Sequence, residues 1–392
     1  MTKIMIPGDA MKHLTMTIAM AAVIATSGCS WLSREKSAVI PAELDKQIDQ
    51  RGSVVTWSKD TGSGNDELAA KLEATLSGSS IYVADADGRV SAVDSNSGAT
   101  LWNVDVDLDL RGGPGVGGGL VVVGSTEGDL VALTSGNGSE SWRAKLDSEI
   151  AAVPLVANGM VVAHITDGKL VGINAASGET TWVFHRSGPS LRLRGAAQPV
   201  VDGEYLYSGL DAGKLVKLDI ATGRSQWETP ISWPSGRNEL DRVVDIDSRP
   251  VVTGNRVYTV SYQGQMAAVG KKKGAVEWSI PFSSHQGLAF DGTVLYAADA
   301  RGNVVAVDSA NGHELWRQKA LHGRRLSAPA LASGYLAVAD YEGYVHWLSP
   351  ADGSLVARIR AVKSAVQAPL VTSGNRVIVY GSEGQLASVS AP

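Results

Sequence analysis

A glycine and a tryptophan 14 residues apart recur along almost the whole chain. The glycine opens an alternating apolar segment, a second glycine follows it, and the tryptophan stands four residues after that. The first glycines are Gly88, Gly128, Gly168, Gly213, Gly264, Gly302, Gly343 and Gly384, and six of the tryptophans are Trp102, Trp142, Trp182, Trp227, Trp278 and Trp316. A period of about 40 residues indicates units that cannot bury their faces alone and must stack on copies of themselves.

Turn signals divide each unit into four short strands. In one copy, Asn158-Gly159, Asp167-Gly168 and Ser177-Gly178 separate segments 151–156, 160–165, 169–174 and 179–184. Such pairs accept the positive φ angles of tight hairpin turns, so each copy is predicted to be an antiparallel four-stranded meander. Radial closure of such units gives an all-β fold, here an eight-bladed β-propeller.

The two ends of the chain complement each other. The eighth copy reaches Pro392 before its tryptophan, and the N-terminal segment 54–57 ends in Trp57. We therefore expect this segment to complete the blade that residues 377–389 begin, which closes the ring and pairs an otherwise open sheet edge. The seventh copy has Ala357 at the tryptophan position. The repeated tryptophan is expected to pack between adjacent sheets rather than to stack on a ligand.

The segment before the propeller carries a secretion signal. A positive start at Met11-Lys12-His13 precedes the apolar run 14–25, and Thr26-Ser27-Gly28 leads to Cys29, the only cysteine of the chain. The apolar run is too short to span a membrane. The predicted boundaries are 1–28 for the signal peptide, 29–53 for a tether and 54–392 for the propeller. Leucine spacing within 65–76 also predicts a short surface helix.

The repeat resembles that of quinoprotein-type propellers, which include quinone-dependent dehydrogenases and the BamB family of outer-membrane assembly lipoproteins. Three stretches, 189–195, 239–247 and 341–347, resemble the BamB family, and the likeness extends over 29–392. The end of the signal resembles the lipobox of bacterial lipoproteins, although Thr26 departs from the leucine usual there. The resemblance implies acylation at Cys29 and anchoring in the outer membrane, facing the periplasm. An ordinary signal peptide followed by a free thiol is the alternative.

The same resemblance implies a non-catalytic scaffold of the barrel assembly (BAM) complex. Its partners would be BamA, through it the other BAM subunits, and unfolded outer-membrane proteins. Nucleic acid is an unsuitable partner, because a chain of net charge −5 without a basic stripe cannot neutralise phosphates.

Two connections are longer than the others. Trp102 and Gly128 are 26 residues apart, whereas 31 residues separate Trp182 from Gly213 and 37 separate Trp227 from Gly264. Insertions in repeat proteins map to one face, often the binding face, and adjacent blades place these two side by side.

Five residues near these insertions are candidate partner contacts. Leu191 and Leu193 are candidate apolar anchors beside Arg194, a residue type enriched at interface hot spots. Asp245 and Asp247 could orient Arg194 across the two loops or meet a basic partner. The alternative is that the leucines belong to a strand core and the aspartates cap turns. The family resemblance implies contact of all five with BamA.

No catalytic, cofactor or metal site is predicted. The glycines of 113–118 fit G-x-G-x-x-G, but a strand rather than a helix follows, so they are interpreted as a turn. A calcium loop starting at Asp105 fails because Leu110 replaces its glycine. The alternative function is a periplasmic quinone-dependent dehydrogenase, which would be expected to have a longer chain, cysteines near the cofactor and calcium ligands. Quinone absorbance separates the two.

Overall fold

Eight sheets succeed one another along the chain, each built on four antiparallel strands, as the repeat predicts. The structure is a computed structural model that describes residues 39–48, 51–65, 70–186, 196–233 and 243–392. The first strand of each sheet contacts the first strand of the next, and β31 (Val371–Ser373) of the last sheet contacts β3 (Thr75–Ser77) of the first. The sheets therefore form a closed ring, and the predicted eight-bladed propeller is confirmed.

Within each blade the strands follow one another from the innermost to the outermost. Blade 1 contains β3, β4 (Ser80–Ala84), β5 (Arg89–Asp94) and β6 (Thr100–Asp105). Blade 2 contains β7 (Leu110–Gly117), β8 (Leu120–Ser125), β9 (Asp129–Thr134) and β10 (Glu140–Lys145). Blade 3 contains β11 (Leu155–Ala157), β12 (Met160–His164), β13 (Leu170–Asn174) and β14 (Thr180–Phe184). Blade 4 contains β15 (Val200–Asp202), β16 (Tyr205–Leu210), β17 (Lys214–Asp219) and β18 (Ser225–Pro230).

The second half of the ring follows the same order. Blade 5 contains β19 (Val251–Val252), β20 (Arg256–Val260), β21 (Gly264–Gly270) and β22 (Val276–Phe282). Blade 6 contains β23 (Leu288–Phe290), β24 (Val294–Ala298), β25 (Val304–Asp308) and β26 (Glu314–Gln318). Blade 7 contains β27 (Ala330–Ala332), β28 (Tyr335–Ala339), β29 (Tyr344–Leu348) and β30 (Leu355–Arg360). Blade 8 contains β31, β32 (Arg376–Tyr380), β33 (Gln385–Ser390) and β1 (Val55–Asp60).

The N-terminal strand completes blade 8, as predicted. β1 pairs antiparallel with β33, in a register that runs from Val55 opposite Val389 to Asp60 opposite Gln385. The Ser53 hydroxyl donates a hydrogen bond to the Ser390 carbonyl at 2.8 Å, so the pairing extends past the strand end. Strands from the two ends of the chain thus share one sheet, and ring closure satisfies edge groups that would otherwise be open.

Tryptophans fasten neighbouring blades together. At seven of the eight junctions the indole N–H donates a hydrogen bond to a main-chain carbonyl of the next blade. The pairs are Trp57 with Ser95, Trp102 with Ser135, Trp142 with Ala175, Trp182 with Ile220, Trp227 with Lys271, Trp278 with Ser309 and Trp316 with Pro350, at 2.8–3.2 Å. Each indole also packs on a turn glycine of that blade, as Trp182 does on Gly223. The predicted packing role of the tryptophans is confirmed.

The eighth junction, from blade 7 to blade 8, uses a displaced tryptophan. In five other blades the tryptophan is on the outermost strand and lies opposite an alanine or a glycine on the third strand. Blade 7 reverses this order: Trp347 is on the third strand, β29, and Ala357 lies opposite it on the outermost strand, β30. Trp347 is fully buried, and its indole N–H donates to the Ser53 hydroxyl at 3.0 Å. The large ring has moved one strand inward, and it fastens the point where the two ends of the chain meet.

Two local interpretations of the sequence are wrong. Within 70–77 the chain forms β2 (Lys71–Leu72) and β3 rather than a helix, while residues 66–69 lie outside the described residues. β2 pairs in parallel with Gly112 and Gly113 and adds a fifth strand to blade 2. The glycines of 113–117 belong to β7 rather than to a turn. They bring its backbone against blade 3, and a Cβ on Gly115 would lie 1.9 Å from the Pro154 carbonyl.

In the parts of the chain that the structure describes, no helix has the length and hydropathy to cross a membrane. The helical turns are short 3₁₀ segments at Lys46–Ile48 and Asp211–Gly213.

The tryptophan contacts predict that alanine destabilises the fold more at one of two glycines that have similar backbone angles. Gly223 and Gly203 have φ of 68° and 61°, but a Cβ on Gly223 would lie 2.6 Å from the Trp182 ring, whereas a Cβ on Gly203 would meet nothing within 4 Å. We expect Gly203→Ala to cost about 1–2 kcal/mol from left-handed strain. Gly223→Ala should cost about 1–3 kcal/mol more through overpacking. Denaturant unfolding of both variants measures this, and equal losses would contradict the role assigned to the junction.

Candidate functional site

The described ends of the two long connections lie on one face of the ring. The first (185–199) runs from outer strand β14 to inner strand β15, and the second (231–250) runs from outer strand β18 to inner strand β19. All connections from an outer strand to the next inner strand lie on the same side, here called the connection face. Leu191, Leu193 and Arg194 lie outside the described residues, as do 187–195 and 234–242 as a whole.

An ion pair links the start of the first connection to the strand from which the second connection leaves. Arg186, just after β14, forms an ion pair with Glu228 on β18, with Nε and Oε1 2.5 Å apart. The Arg186 guanidinium also lies 4.6 Å from the centre of the Phe184 ring. The first connection therefore leaves blade 3 directly beside the strand from which the second connection leaves blade 4.

Trp233 is a candidate contact that the sequence reasoning missed. It follows β18 at the start of the second connection, and 65% of it is exposed. A tryptophan this exposed differs from the seven that join blades, and tryptophan is among the residue types enriched at interface hot spots. The sequence could have identified it, because Trp233 stands six residues after Trp227 and is therefore not one of the tryptophans that follow a repeat glycine by 14 residues.

Asp245 holds the second connection against blade 4. It is 2% exposed, and its Oδ1 accepts a hydrogen bond from the Ala212 amide at 3.0 Å. Its carbonyl accepts another from the Tyr262 amide at 3.0 Å. Ala212 belongs to the turn between β16 and β17 and has a φ of 59°. The Asp245 carboxylate thus stabilises a turn, which is the structural role that the sequence left open beside partner contact.

Asp247, two residues further on, lies at the central channel. This cavity of about 780 Å³ is lined by inner strands and by residues 70–76. Burial raises the pKa of Asp247 to about 6, Lys71 opposes that rise, and Asp245 and Asp211 add to it. Asp245 and Asp247 therefore occupy different surroundings, although both belong to the second connection.

The channel contains charges of both signs. Lys71, Glu73 and Arg249 line it together with Asp247 and His285. Desolvation within the channel raises the pKa of Glu73 against the opposing influence of Lys71 and Arg249, and desolvation together with Lys71 lowers the pKa of His285. Among the described residues, no group of three or more histidine, cysteine, aspartate or glutamate side chains is placed to hold a metal ion.

The raised pKa of Asp247 predicts a pH-dependent effect of its replacement. A carboxyl whose folded pKa exceeds its ordinary value of 3.8 stabilises the fold when protonated, and that stability is lost as the pH rises toward 6. Asp247→Asn should therefore gain stability relative to the wild type between pH 4 and pH 7, by at most about 3 kcal/mol. Denaturant unfolding at both pH values measures this. A stability difference that does not change with pH would show that Asp247 is not buried in this way.

Comparison with known proteins identifies relatives along the whole chain. The family model described as outer membrane protein assembly factor BamB matches residues 86–318 and 300–392. The protein of that name from Alkalilimnicola ehrlichii is 46% identical over 372 residues, which are 95% of this chain and 96% of the relative. The one from Pseudomonas aeruginosa is 45% identical over 377 residues, or 96% of this chain and 98% of the relative.

Solved structures agree with these matches. BamB from Moraxella catarrhalis has a TM-score of 0.79 and 26% identity, with 86% of this chain and 100% of that chain covered. The quinohemoprotein alcohol dehydrogenase of Comamonas testosteroni has a TM-score of 0.66 at 12% identity, covers 88% of this chain and 78% of that chain, and shows a shared fold alone. The resemblance to the BamB family is confirmed. The chain belongs to the BamB family of outer membrane protein assembly factors.

Proposed function

We propose that the protein is a non-catalytic scaffold lipoprotein of the BAM complex that binds the periplasmic domains of BamA through the two long connections. In this role it assists the folding and insertion of β-barrel proteins into the outer membrane, and unfolded barrel proteins are further candidate partners. The relatives from Alkalilimnicola ehrlichii and Pseudomonas aeruginosa are named as assembly factors, which supports a scaffold over an enzyme.

The joined flanks of the two connections carry the docking proposal. The Arg186–Glu228 ion pair joins the start of the first connection to β18, the strand from which the second connection leaves, and Trp233 is exposed at the start of that second connection. An exposed aromatic next to apolar and arginine side chains has the composition of an interface hot spot. Leu191, Leu193 and Arg194 would supply the remaining anchors. Asp245 would act by fixing the second connection, and Asp247 would act from the channel side of that connection.

The lipoprotein part of the proposal concerns the segment before the propeller. Residues 1–28 would be removed as a signal peptide, Cys29 would become the acylated N-terminus, and 29–53 would link it to the propeller of 54–392. Acyl chains contribute about 0.8 kcal/mol per buried methylene, and a second chain makes anchoring stable. The anchor would hold the protein in the outer membrane, facing the periplasm.

The dehydrogenase alternative rests on the shared fold alone. An absorbance spectrum of the purified protein decides it, because a bound quinone absorbs where the protein does not. A quinone band would favour the enzyme.

The docking proposal predicts loss of BamA when the first connection is altered. A triple variant, Leu191→Ala, Leu193→Ala and Arg194→Ala, should recover much less BamA from detergent-solubilised outer membrane than the wild type does. Trp233→Ala is an independent variant on the second connection, and it should weaken binding by about 2 kcal/mol, or roughly thirty-fold.

A matched control replaces two leucines and an arginine elsewhere on the surface. Leu101 and Leu315 are each 53% exposed, Arg224 is exposed, and all three lie outside the two connections, so their alanine variants should recover BamA normally. Recovery of as much BamA with the Leu191 triple variant as with the wild type would show that the interface lies elsewhere. No BamA even with the wild type would overturn the assignment to this complex.

The acylation proposal predicts that Cys29→Ser releases the protein from the membrane. The variant should appear in the soluble periplasmic fraction, and intact mass spectrometry of the wild type should show acyl chains on a chain that begins at Cys29. A wild-type mass without acyl groups would support the ordinary signal peptide instead. Restoration of anchoring by an unrelated lipoprotein signal fused at the same position is the control for expression and folding.

A further inference from the structure

Residues 41–48, here called the strap, lie against blade 7 before the chain reaches β1. The Ala42 amide donates a hydrogen bond to the His322 carbonyl at 2.8 Å. Leu44 packs beside a buried cluster that includes Leu321, Leu326 and Leu348. The helical turn Lys46–Ile48 then contacts β30. The strap is therefore attached at three successive points although it belongs to no sheet.

Two arginines hold the strap by its main chain. Arg324 donates from Nη1 to the Ala42 carbonyl at 3.1 Å, and Arg358 donates from Nη2 to the Asp45 carbonyl at 3.0 Å. Both arginines are buried, with 3% of Arg324 and 4% of Arg358 exposed. Charge-assisted hydrogen bonds from fixed guanidinium groups are stronger than neutral ones, so these two contacts define where the strap lies.

A buried charge cluster fixes Arg324. Its Nε lies 2.7 Å from Oδ2 of Asp340, and the same oxygen lies 2.8 Å from Nε2 of His346. Arg324 also pairs with Glu342. Burial alone would raise the pKa of Asp340, but His346 and Arg324 hold it below its ordinary value. Because unpaired buried charges are costly, such a cluster keeps the guanidinium in one place.

The stretch 341–347 brings these contacts together. The ring of Tyr341 lies 5.0 Å from the Arg324 guanidinium, and that of Tyr344 lies 5.4 Å from the Arg358 guanidinium. Trp347, the last residue of the stretch, donates to Ser53 beyond the strap. One short stretch thus supports the N-terminal segment at Ala42, Asp45 and Ser53.

Ala42 in the strap and Ser53 after it lie on opposite faces of the ring. His322 and Arg324 belong to the connection from β26 to β27, so Ala42 lies at the connection face. Ser53 lies beside Ser390 at the end of β33, on the opposite face. Blade 7 is about half the ring away from the junction of blades 3 and 4. The strap therefore begins on the same face as the two long connections and across the ring from them.

We propose that Arg324, Arg358 and their supporting cluster are a positioning site for the membrane anchor, which fixes where the N-terminal segment leaves the ring. The inference rests on the proposed acylation of Cys29. With the strap held, the 12 residues from Cys29 to Pro41 can span at most about 40 Å, whereas a released strap would leave 24 residues, about 80 Å, ending on the other face. The held strap thus turns the connection face toward the bilayer.

Hydrogen exchange on the purified full chain tests the attachment without lipid or BamA. Arg324→Lys and, separately, Leu44→Ser should raise exchange at the Ala42 amide and across 41–48 at least ten-fold, while amides of β33 stay unchanged. The Leu44 variant leaves the charge cluster intact, so it remains informative if the Arg324 variant folds poorly. Arg256→Lys is the control, because Arg256 also pairs with a glutamate and donates to a carbonyl, that of Ser309, far from the strap. Unchanged strap exchange, or an equal rise in β33, would overturn the assignment.

Energy transfer to the membrane tests the orientation. Cys29 is the only cysteine, so one introduced cysteine accepts a dye in the acylated protein. Lys363→Cys places the dye on the connection face after β30, and Lys272→Cys places it on the opposite face between β21 and β22. On vesicles of phosphatidylethanolamine and phosphatidylglycerol with an acceptor lipid, transfer should be greater from position 363, and Leu44→Ser should reduce that difference.

Equal transfer from both positions in the otherwise wild-type protein, or a difference that Leu44→Ser leaves unchanged, would overturn the positioning role. If the protein does not bind the vesicles at all, the acylation proposal fails and the positioning role fails with it. Hydrogen exchange separates that result from a failure of the strap contacts themselves.

Discussion

The structure depends on the contact between an indole and the next blade. Each four-stranded unit buries its faces only against its neighbours, so the junctions decide whether the ring exists. The indole N–H binds a main-chain carbonyl of the following turn, and the ring packs on a glycine whose missing side chain makes room. Because both partners are built into the repeat, the same junction forms around the ring. Blade 7 shows how strict the requirement is: where Ala357 replaces the tryptophan, Trp347 fills the place from the neighbouring strand.

Closure of the ring gives the N-terminal segment a structural role in addition to that of a tether. β1 completes blade 8, Trp347 binds Ser53, and the strap is held along blade 7 before either contact is reached. The segment that would carry the proposed membrane anchor is therefore continuous with the part that closes the propeller. A force that pulls on the N-terminal end would have to break the Arg324 and Arg358 hydrogen bonds before it acted on β1 and the sheet of blade 8.

The connection face combines the features proposed for function. The two long connections leave blades 3 and 4 side by side because these blades are neighbours in the ring, and the Arg186–Glu228 ion pair links the start of the first connection to β18. Asp245 and Asp247 stand two residues apart in the same connection, yet one fixes a turn and the other lies at the channel. A substitution at Asp245 would thus alter the shape of the second connection, and one at Asp247 would alter the charge of the channel. Studies of partner binding need to treat the two separately.

The repeat by itself determined the all-β propeller, the number of blades, the closing strand and the packing of the tryptophans, because turn glycines and a 14-residue spacing are local signals. It also located the two long connections and, through resemblance, the family. Tertiary structure alone decided that 71–77 is extended, because Gly112 and Gly113 offer an open backbone that no local pattern in 65–76 reveals. The same holds for the joined flanks at Arg186, the channel position of Asp247 and the strap on blade 7. Each of these depends on residues far apart in sequence, and the closed ring brings them together.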